Sequence, residues 1–360
     1  LNDFRDELAK RDLGDTFRRL IASTGPISLA HFMGESNQRY YADKRPIGGQ
    51  GGDFITAPEV SQMFGELIGL WMADMWIRAG RTEPVHYVEL GPGKGTLAGD
   101  ALRAMKRYGL VPKVHLVETS RRMRDAQIKA VPEAVYHHDL SRIPTAGPIL
   151  LVANEFLDAL PVRQLVMTEE GWREVMVDVD PSGAFVEVPG RQHMDSAVPE
   201  ARRDAPPGTV IETSPASATI MFEVAGRLKE QDGAALFIDY GYADGRSGST
   251  IQAVSGHKKV GIFDAPGEVD LSAHVDFAQM EQIALSRGAR VLGTVTQGQW
   301  LGALGIAQRA DALAEFAPQH REALMRAKER LTAPDQMGEL FKVLGLVAPG
   351  WPDGPGFARE

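Results

Sequence analysis

The sequence predicts an α/β fold built on a mostly parallel sheet with helices on both faces, and three observations carry that expectation. From about Val85 to Ala153, short apolar runs alternate with segments of helical period. A glycine-rich turn, "VELGPGKGT" from Val88 to Thr96, joins the first run to the first helix. Polar residues then close successive runs, as they do where the carboxyl ends of parallel strands open on a ligand crevice.

Taken in order, residues up to about Ala79 read as helical around the glycine-rich stretch "GGQGGDFITAPEV", Gly48 to Val60. Thr56 and Glu59 stand at capping-box spacing with Pro58 in the first turn. Val60, Phe64, Leu67, Ile68, Trp71 and Met75 then form an apolar face. "VHYVEL" is a buried strand, and Leu97, Ala101, Met105 and Tyr108 mark one face of the next helix. "KVHLVE" is a second strand, Ser120 is placed to cap a helix over Arg121 to Ala130, and "AVYHHD" and "PILLVANE" are further strands. From Val162 to Val188 the pattern becomes an antiparallel meander, with turns at Glu169–Gly171 and Asp180–Gly183. A polar stretch bearing proline ends near Pro207. "TVIETSPASA" reads as a strand and then a helix capped by Ser214, and "GAALFIDYGY" is a central strand. The tail reads as a loop from Gly245 to Gly267, a helix from about Ser272, a strand at "RVLGTVTQ", helices to about Thr332 and a last strand at "ELFKVLGLV".

Composition narrows the function. A net charge of -9 argues against a general nucleic-acid or anionic-membrane binder. The absence of cysteine removes disulfides, thiolate zinc sites and cysteine nucleophiles, and fits a reducing compartment. No run approaches the length of a bilayer span. The expectation is a cytoplasmic protein, or one of the mitochondrial matrix in a eukaryote, with neither nucleic acid nor membrane insertion.

The turn departs from a dinucleotide fingerprint. Its glycines are Gly91, Gly93 and Gly95, and Thr96 occupies the third fingerprint position. Glu89 just ahead would repel a pyrophosphate but suits a ligand carrying an ammonium group. Glu118 ends the second strand, where a carboxylate can accept from both hydroxyls of a ribose. Asp139 follows the third strand and is placed to accept from an adenine amino group; Asn154 and Glu155 end the fourth. Any one of these, taken singly, reads better as a strand-end residue capping the next helix. Polar groups at four successive strand ends point to one ligand site.

On the stretches "GGDFITAPEVSQMFGELIG", "VELGPGKGTLAGDALR", "HLVETS", "NEFLDALPV", "FIDYGY", "DLSAHVDF" and "MGELFKVLGL" the chain resembles the MidA family of class I S-adenosylmethionine-dependent methyltransferases. That family includes the mitochondrial complex I assembly methyltransferase. The resemblance covers most of the chain. It implies a Rossmann-like, seven-stranded class I methyltransferase sheet with N-terminal helices and inserted β-meander and helical segments. The implied division is an N-terminal helical segment with a glycine-rich lid over 1–80, a cofactor-binding half at 81–160, the meander at 161–207 and the rest of the core at 208–360. It implies S-adenosylmethionine as cofactor, with Glu89, Gly91, Gly93, Gly95 and Thr96 at its methionine end, Glu118 at its ribose, Asp139 at its adenine and Asn154 closing the same crevice. The leading model for the activity is arginine methylation of a complex I subunit.

Methyl transfer from a sulfonium is an in-line displacement that needs positioning and exclusion of water rather than a metal. His137–His138 and Asp270, His274 and Asp276 are the candidate metal sets, and both read better as solvated or structural. An arginine acceptor is a cation with five donors, so carboxylates must orient it and take its proton. "NEFLDALP" supplies Glu155 and Asp158, which share a face if the segment is helical. Glu155 is then expected to grip the guanidinium with Asp158 in support; the competing reading is an acid pair at a helix N-terminus. The Gly48–Glu59 loop is the candidate lid, with Asp53 and Glu59 placed to face a cationic side chain, although capping competes for Glu59. Tyr240 is placed to line the acceptor pocket or to pack as a core tyrosine, and His274 to shuttle protons or to pack. The long insertions suit a protein substrate and equally a homodimer. A non-catalytic assembly factor that retains a cofactor site remains the alternative, whereas Thr96 and Glu89 speak against a nicotinamide dehydrogenase.

Overall fold

A computed structural model describes residues 12–42, 55–256 and 258–357; Asp53 and most of the expected lid lie outside them. Contacts divide the chain into two units. The first is Leu1–Arg45, Ala159–Ala216 and Arg246–Ala273, and the second is Pro46–Asp158, Ser217–Gly245 and His274–Glu360. Labels below follow chain order over the described residues.

The first unit begins with α1 (Leu13–Thr24), whose N-cap Asp12 accepts from the Asp15 amide, then β1 (Ile27–Ser28) and α2 (Leu29–Ala42). The expected meander forms as β6 (Arg163–Thr168), β7 (Gly171–Val179) and β8 (Phe185–His193), all antiparallel. With β9 (Val210–Thr213) the sheet order is β1-β7-β6-β9, and β8 pairs with β7. The expected loop from Gly245 to Gly267 instead contributes to a small sheet of β11 (Gln252–Ser255), β12 (Lys258–Val260) and β13 (Asp270–Ser272). Strands this short show no period in sequence; burial of Ala253 and Leu271 is what holds them. Phe17, Phe32 and Phe185 form the centre of this unit's core, with Phe17 and Phe32 ring centroids 4.7 Å apart. Each such ring contributes roughly 1.5–3 kcal/mol by leaving water.

The second unit opens with α3 (Ala57–Val60) and α4 (Gln62–Arg78). Then come β2 (His86–Leu90), α5 (Thr96–Arg107), β3 (Lys113–Val117), α6 (Arg121–Ala130), β4 (Val135–His137) and β5 (Ile149–Asn154). After α7 (Pro215–Gln231) and β10 (Gly233–Tyr242) follow β14 (Val275–Asp276), α8 (Phe277–Arg287) and β15 (Arg290–Thr296). The helices α9 (Gln297–Ala303), α10 (Ile306–Phe316), α11 (Arg321–Thr332) and α12 (Met337–Leu340) lead to β16 (Phe341–Val347).

These strands build an eight-stranded mixed sheet in the order β15-β16-β10-β5-β2-β3-β4, with β14 beside β10. Only the two pairings of β16 are antiparallel. Register aligns Leu90 with Val117 and Ala153, and Ile238 with Asn154. Gly91, Glu118, Asn154 and Asp239 therefore emerge together at one end of the sheet. Helix α4 is buried on nearly every side, and α5 crosses it where a Cβ on Gly69 would meet the Ala101 carbonyl at 2.3 Å.

Several local expectations fail for identifiable reasons. The helix expected to run from Ala57 through Met75 breaks at Ser61, which is extended and accepts from the Met63 amide to start α4. Thr56 makes no side-chain cap, so the capping box with Glu59 does not form. Ser120 stands at the N-cap of α6 without a side-chain capping bond. Tyr108 is 48% exposed at the end of α5, off its buried face. The helix expected from Ser272 begins at Phe277, because Asp276 accepts from the Gln279 amide. Residues 155–158 are bends and a turn, so Glu155 and Asp158 do not share a helical face, nor do they sit at a helix N-terminus.

Candidate active site

All three glycines of the turn have left-handed backbone, with φ of +61° at Gly91, +51° at Gly93 and +80° at Gly95. Side chains carrying a Cβ resist that region. Space separates their roles. A Cβ on Gly91 would lie 2.7 Å from the Phe156 ring and one on Gly95 would lie 3.1 Å from Ala130, whereas one on Gly93 would meet nothing within 4 Å. Gly91 and Gly95 serve packing, while Gly93 faces open space. Thr96 is the first residue of α5, directly after the turn.

Glu89 is buried, and the Tyr87 hydroxyl donates to its Oε2 at 2.6 Å. Burial pushes its carboxyl up to about 7, against the pull of that hydrogen bond. Glu118 receives the Ser120 amide on Oε1 at 2.7 Å and the Gln127 side-chain amide on Oε2 at 3.1 Å. Burial raises its pKa, and those donors oppose the rise. The same Gln127 nitrogen donates to the Gly93 carbonyl at 2.7 Å. Sequence reasoning missed Gln127, a fully buried polar residue that no motif singles out.

Asp139 is exposed and caps a short 3-10 turn, Leu140–Arg142. Its Oδ1 accepts from the Ser141 amide at 2.9 Å and from the Ser141 hydroxyl, and these bonds hold it below the usual carboxylate range. His137, once a candidate metal ligand, ends a row of three imidazoles across β2, β3 and β4. His86 Nδ1 lies 2.9 Å from His115 Nε2, and His115 Nδ1 lies 3.0 Å from His137 Nε2. His86 Nε2 faces the Ala146 carbonyl at 2.9 Å and must donate to it. With all three rings neutral, the row then runs one way: His115 donates to His86, and His137 donates to His115. Among the described residues no group of three His, Asp or Glu side chains is arranged to hold a metal ion.

The acids meet where β5 and β10 end. Glu155 carries φ +50°, a conformation costing a non-glycine residue on the order of 1–2 kcal/mol. Its Oε1 accepts from the Ala57 amide at 3.0 Å and from Asn154 Nδ2 at 3.0 Å. Burial pushes Glu155 up to about 8, opposed by the Ala57 amide and reinforced by Asp239 and, more weakly, Glu59. Asn154 is buried and its Oδ1 has no hydrogen-bond partner among the described residues. Asp239, almost fully buried, anchors the turn from below. Its Oδ2 accepts the amides of Phe156, Leu157 and Asp158 at 2.8–3.2 Å, and its Oδ1 accepts that of Tyr240 at 2.9 Å.

Tyr240 packs on Phe341 and stacks on His274 with ring centroids 6.2 Å apart. Burial, then the charges of Glu155, Asp158 and Asp239, push its hydroxyl up to about 12. Glu59 pairs with Lys94 of the glycine turn at 2.7 Å, in place of the expected cap. Glu155, Asp158, Tyr240 and His274 thus gather in one place with Asn154 and Asp239. Asp239 went unassigned from sequence, although "FIDYGY" places it at a strand end. Such a group, one buried and two half-buried acids beside an aromatic wall, can orient a cation and take a proton from it.

Comparison with known proteins shows the family. The Methyltransf_28 family, described as "Putative S-adenosyl-L-methionine-dependent methyltransferase", matches residues 67–295. The chain is 35% identical to the protein named protein arginine methyltransferase NDUFAF7, mitochondrial, of Mus musculus, over 91% of this chain and 82% of that one. It is 34% identical to the Homo sapiens protein of that name, over 91% and 81%. A crystal structure of a COG1565 superfamily member from Burkholderia thailandensis, bound to S-adenosyl-homocysteine, superposes with a TM-score of 0.82 at 29% identity, covering 96% of this chain and 94% of that one. The chain therefore belongs to the Methyltransf_28 family, and it is an S-adenosylmethionine-dependent methyltransferase of the α/β methyltransferase fold.

Proposed function

We propose that the protein is a protein arginine N-methyltransferase acting on a respiratory complex I subunit during assembly. The observation that carries this reading is Glu155, a half-buried acid held in left-handed backbone beside Asn154, Asp158 and Tyr240. The names of the NDUFAF7 relatives point the same way.

The residues present fit the cofactor. Glu89, buried and accepting from the Tyr87 hydroxyl, suits the methionine ammonium. Gly91, Gly93, Gly95 and Thr96 clear backbone beside it, with Gly93 open to the ligand. Glu118 takes the ribose. Asp139 takes the adenine amino group through Oδ2, since both Ser141 bonds fall on Oδ1. Asn154 offers its unpartnered Oδ1 to the same crevice. When bound, the cofactor supplies an electrophilic methyl group on sulfonium.

Glu155 grips the guanidinium through Oε2, because Oε1 already accepts two donors. Its ionisation, disfavoured by burial, is restored by the incoming cation. As the methyl group arrives, Oε2 takes the nitrogen's proton and His274, against Tyr240, passes it on. Asp158 adds negative charge, Tyr240 walls the pocket, and Asp53 and Glu59 attract the approaching side chain. The seven strands on the continuous path of the sheet are the methyltransferase sheet, with β14 an addition and 161–207 an inserted meander. The protein works in the cytoplasm, or in the matrix of a eukaryote, and homodimerisation is a further use of its insertions.

Incubation with labelled S-adenosylmethionine and the quinone-side complex I subunit, followed by mapping of the label, tests this reading. Label on an arginine is the expected result. Cofactor binding without transfer would overturn it in favour of a non-catalytic assembly factor.

A further inference from the structure

We infer that Gln127 is a positioning residue for the cofactor: its side-chain amide locks the Glu118 carboxylate and the glycine turn into one rigid cradle. The inference rests on the reading that Glu118 holds the ribose.

Both hydrogens of one nitrogen are used. One goes to Glu118 Oε2 at 3.1 Å and the other to the Gly93 carbonyl at 2.7 Å. This bifurcation fixes the amide's orientation, because a carbonyl oxygen could satisfy neither acceptor. A carboxylate turns easily about its last bond, which is broad and roughly two-fold. Here the Ser120 amide holds Oε1 and Gln127 holds Oε2. The Thr119 amide also bears on this carboxylate, so its orientation is set from the protein side, and the acceptor capacity left over is what a ribose hydroxyl would use.

The second bond extends the effect. Gly93 is the turn glycine that faces open space, so tying its carbonyl to Gln127 sets the turn at a fixed distance from Glu118. Close packing permits the tie: a Cβ on Gly95 would sit 3.4 Å from the Gln127 Cα.

Gln127 is also poorly placed for stability alone. Its Oε1 is buried with no hydrogen-bond partner among the described residues, an arrangement that disfavours folding. It is the one residue that α6 buries completely, where an apolar side chain would pack without that penalty. A structural filler has no need of an amide; a clamp between two acceptors does.

The test compares binding of S-adenosylhomocysteine and its 3′-deoxyribosyl analogue by calorimetry in wild type, Glu118→Gln and Gln127→Met, with thermal unfolding to confirm folding. Gln127→Glu, which keeps the shape, replaces Gln127→Met if the latter does not fold. Wild type is expected to prefer the natural ribose by about 10-fold or more, the range of a hydrogen bond to a charged group. That preference should collapse in Glu118→Gln and fall at least about 3-fold in Gln127→Met. Equal weakening of both ligands by Gln127→Met, with the preference intact, would overturn the inference and leave a merely structural role. An unchanged preference in Glu118→Gln would instead overturn the ribose reading itself.

Discussion

Replacing Asp239 by asparagine tests how the acidic turn is held. The carboxylate accepts three successive amides on Oδ2 and a fourth, from Tyr240, on Oδ1. Asparagine has one carbonyl oxygen. Placed at Oδ2 it keeps three bonds, now neutral and roughly half as strong, and turns its NH2 toward the Tyr240 amide. Leaving that buried N–H unsatisfied costs about 1–3 kcal/mol, and weakening the other three costs about 2 kcal/mol more. Relief of repulsion between Asp239 and Glu155 returns part of this. The net loss should be about 2–4 kcal/mol, read as a fall in the urea midpoint at unchanged slope by tryptophan fluorescence at pH 7.5. The turn should also relax, carrying Glu155 out of left-handed backbone and away from the Ala57 amide. Methyl transfer should therefore slow although Glu155 ionises more readily, and cofactor affinity should stay within about 3-fold because the glycine turn makes no bond to Asp239. A variant with wild-type stability and turnover would refute this account of the anchor.

Three further outcomes follow from the geometry. Gly93→Ala should cost only about 1–2 kcal/mol of stability for its left-handed backbone but weaken S-adenosylhomocysteine binding by more than Gly91→Ala does per unit of stability lost, because its methyl group enters open space; normal cofactor affinity in Gly93→Ala would remove that glycine from the site. The histidine row should make stability fall with acid. His115 is lowered from 6.5 to about 4 by burial and by its imidazole neighbours, so between those values the unfolded chain binds a proton that the folded chain refuses. About 2–3 kcal/mol present above pH 6.5 should disappear by pH 4, and His115→Gln should flatten that slope. Glu155 behaves oppositely in the ligand-free protein. Its carboxyl is raised from 4.5 to about 8, so the folded state keeps a proton that the unfolded state releases. Stability should therefore fall as pH rises through that window, and Glu155→Gln should melt above wild type at pH 8 by a margin that vanishes near pH 5.

The sheet and its crevice were legible because they obey periodic rules. Four apolar runs alternate with helices, and register then forces Gly91, Glu118, Asn154 and Asp239 to one end. What the sequence hid depends on partners distant in the chain. Thr56 and Glu59 have the spacing of a capping box, yet Lys94 competes for Glu59 with a full charge. Glu155 and Asp158 sit three apart, as on a helix, but Asp239 draws the intervening amides into a turn. Gln127 is one polar residue in a polar helix until the fold buries it between two acceptors. The small sheet of β11, β12 and β13 escaped because its strands are too short to carry a period.

Single-turnover methyl transfer by Glu155→Gln, with cofactor affinity measured on the same preparation, tests the role of Glu155 most directly. The rate should fall at least about 100-fold below wild type, the usual loss when a general base is removed, with S-adenosylmethionine affinity unchanged. Transfer at the wild-type rate with cofactor bound normally would contradict that role.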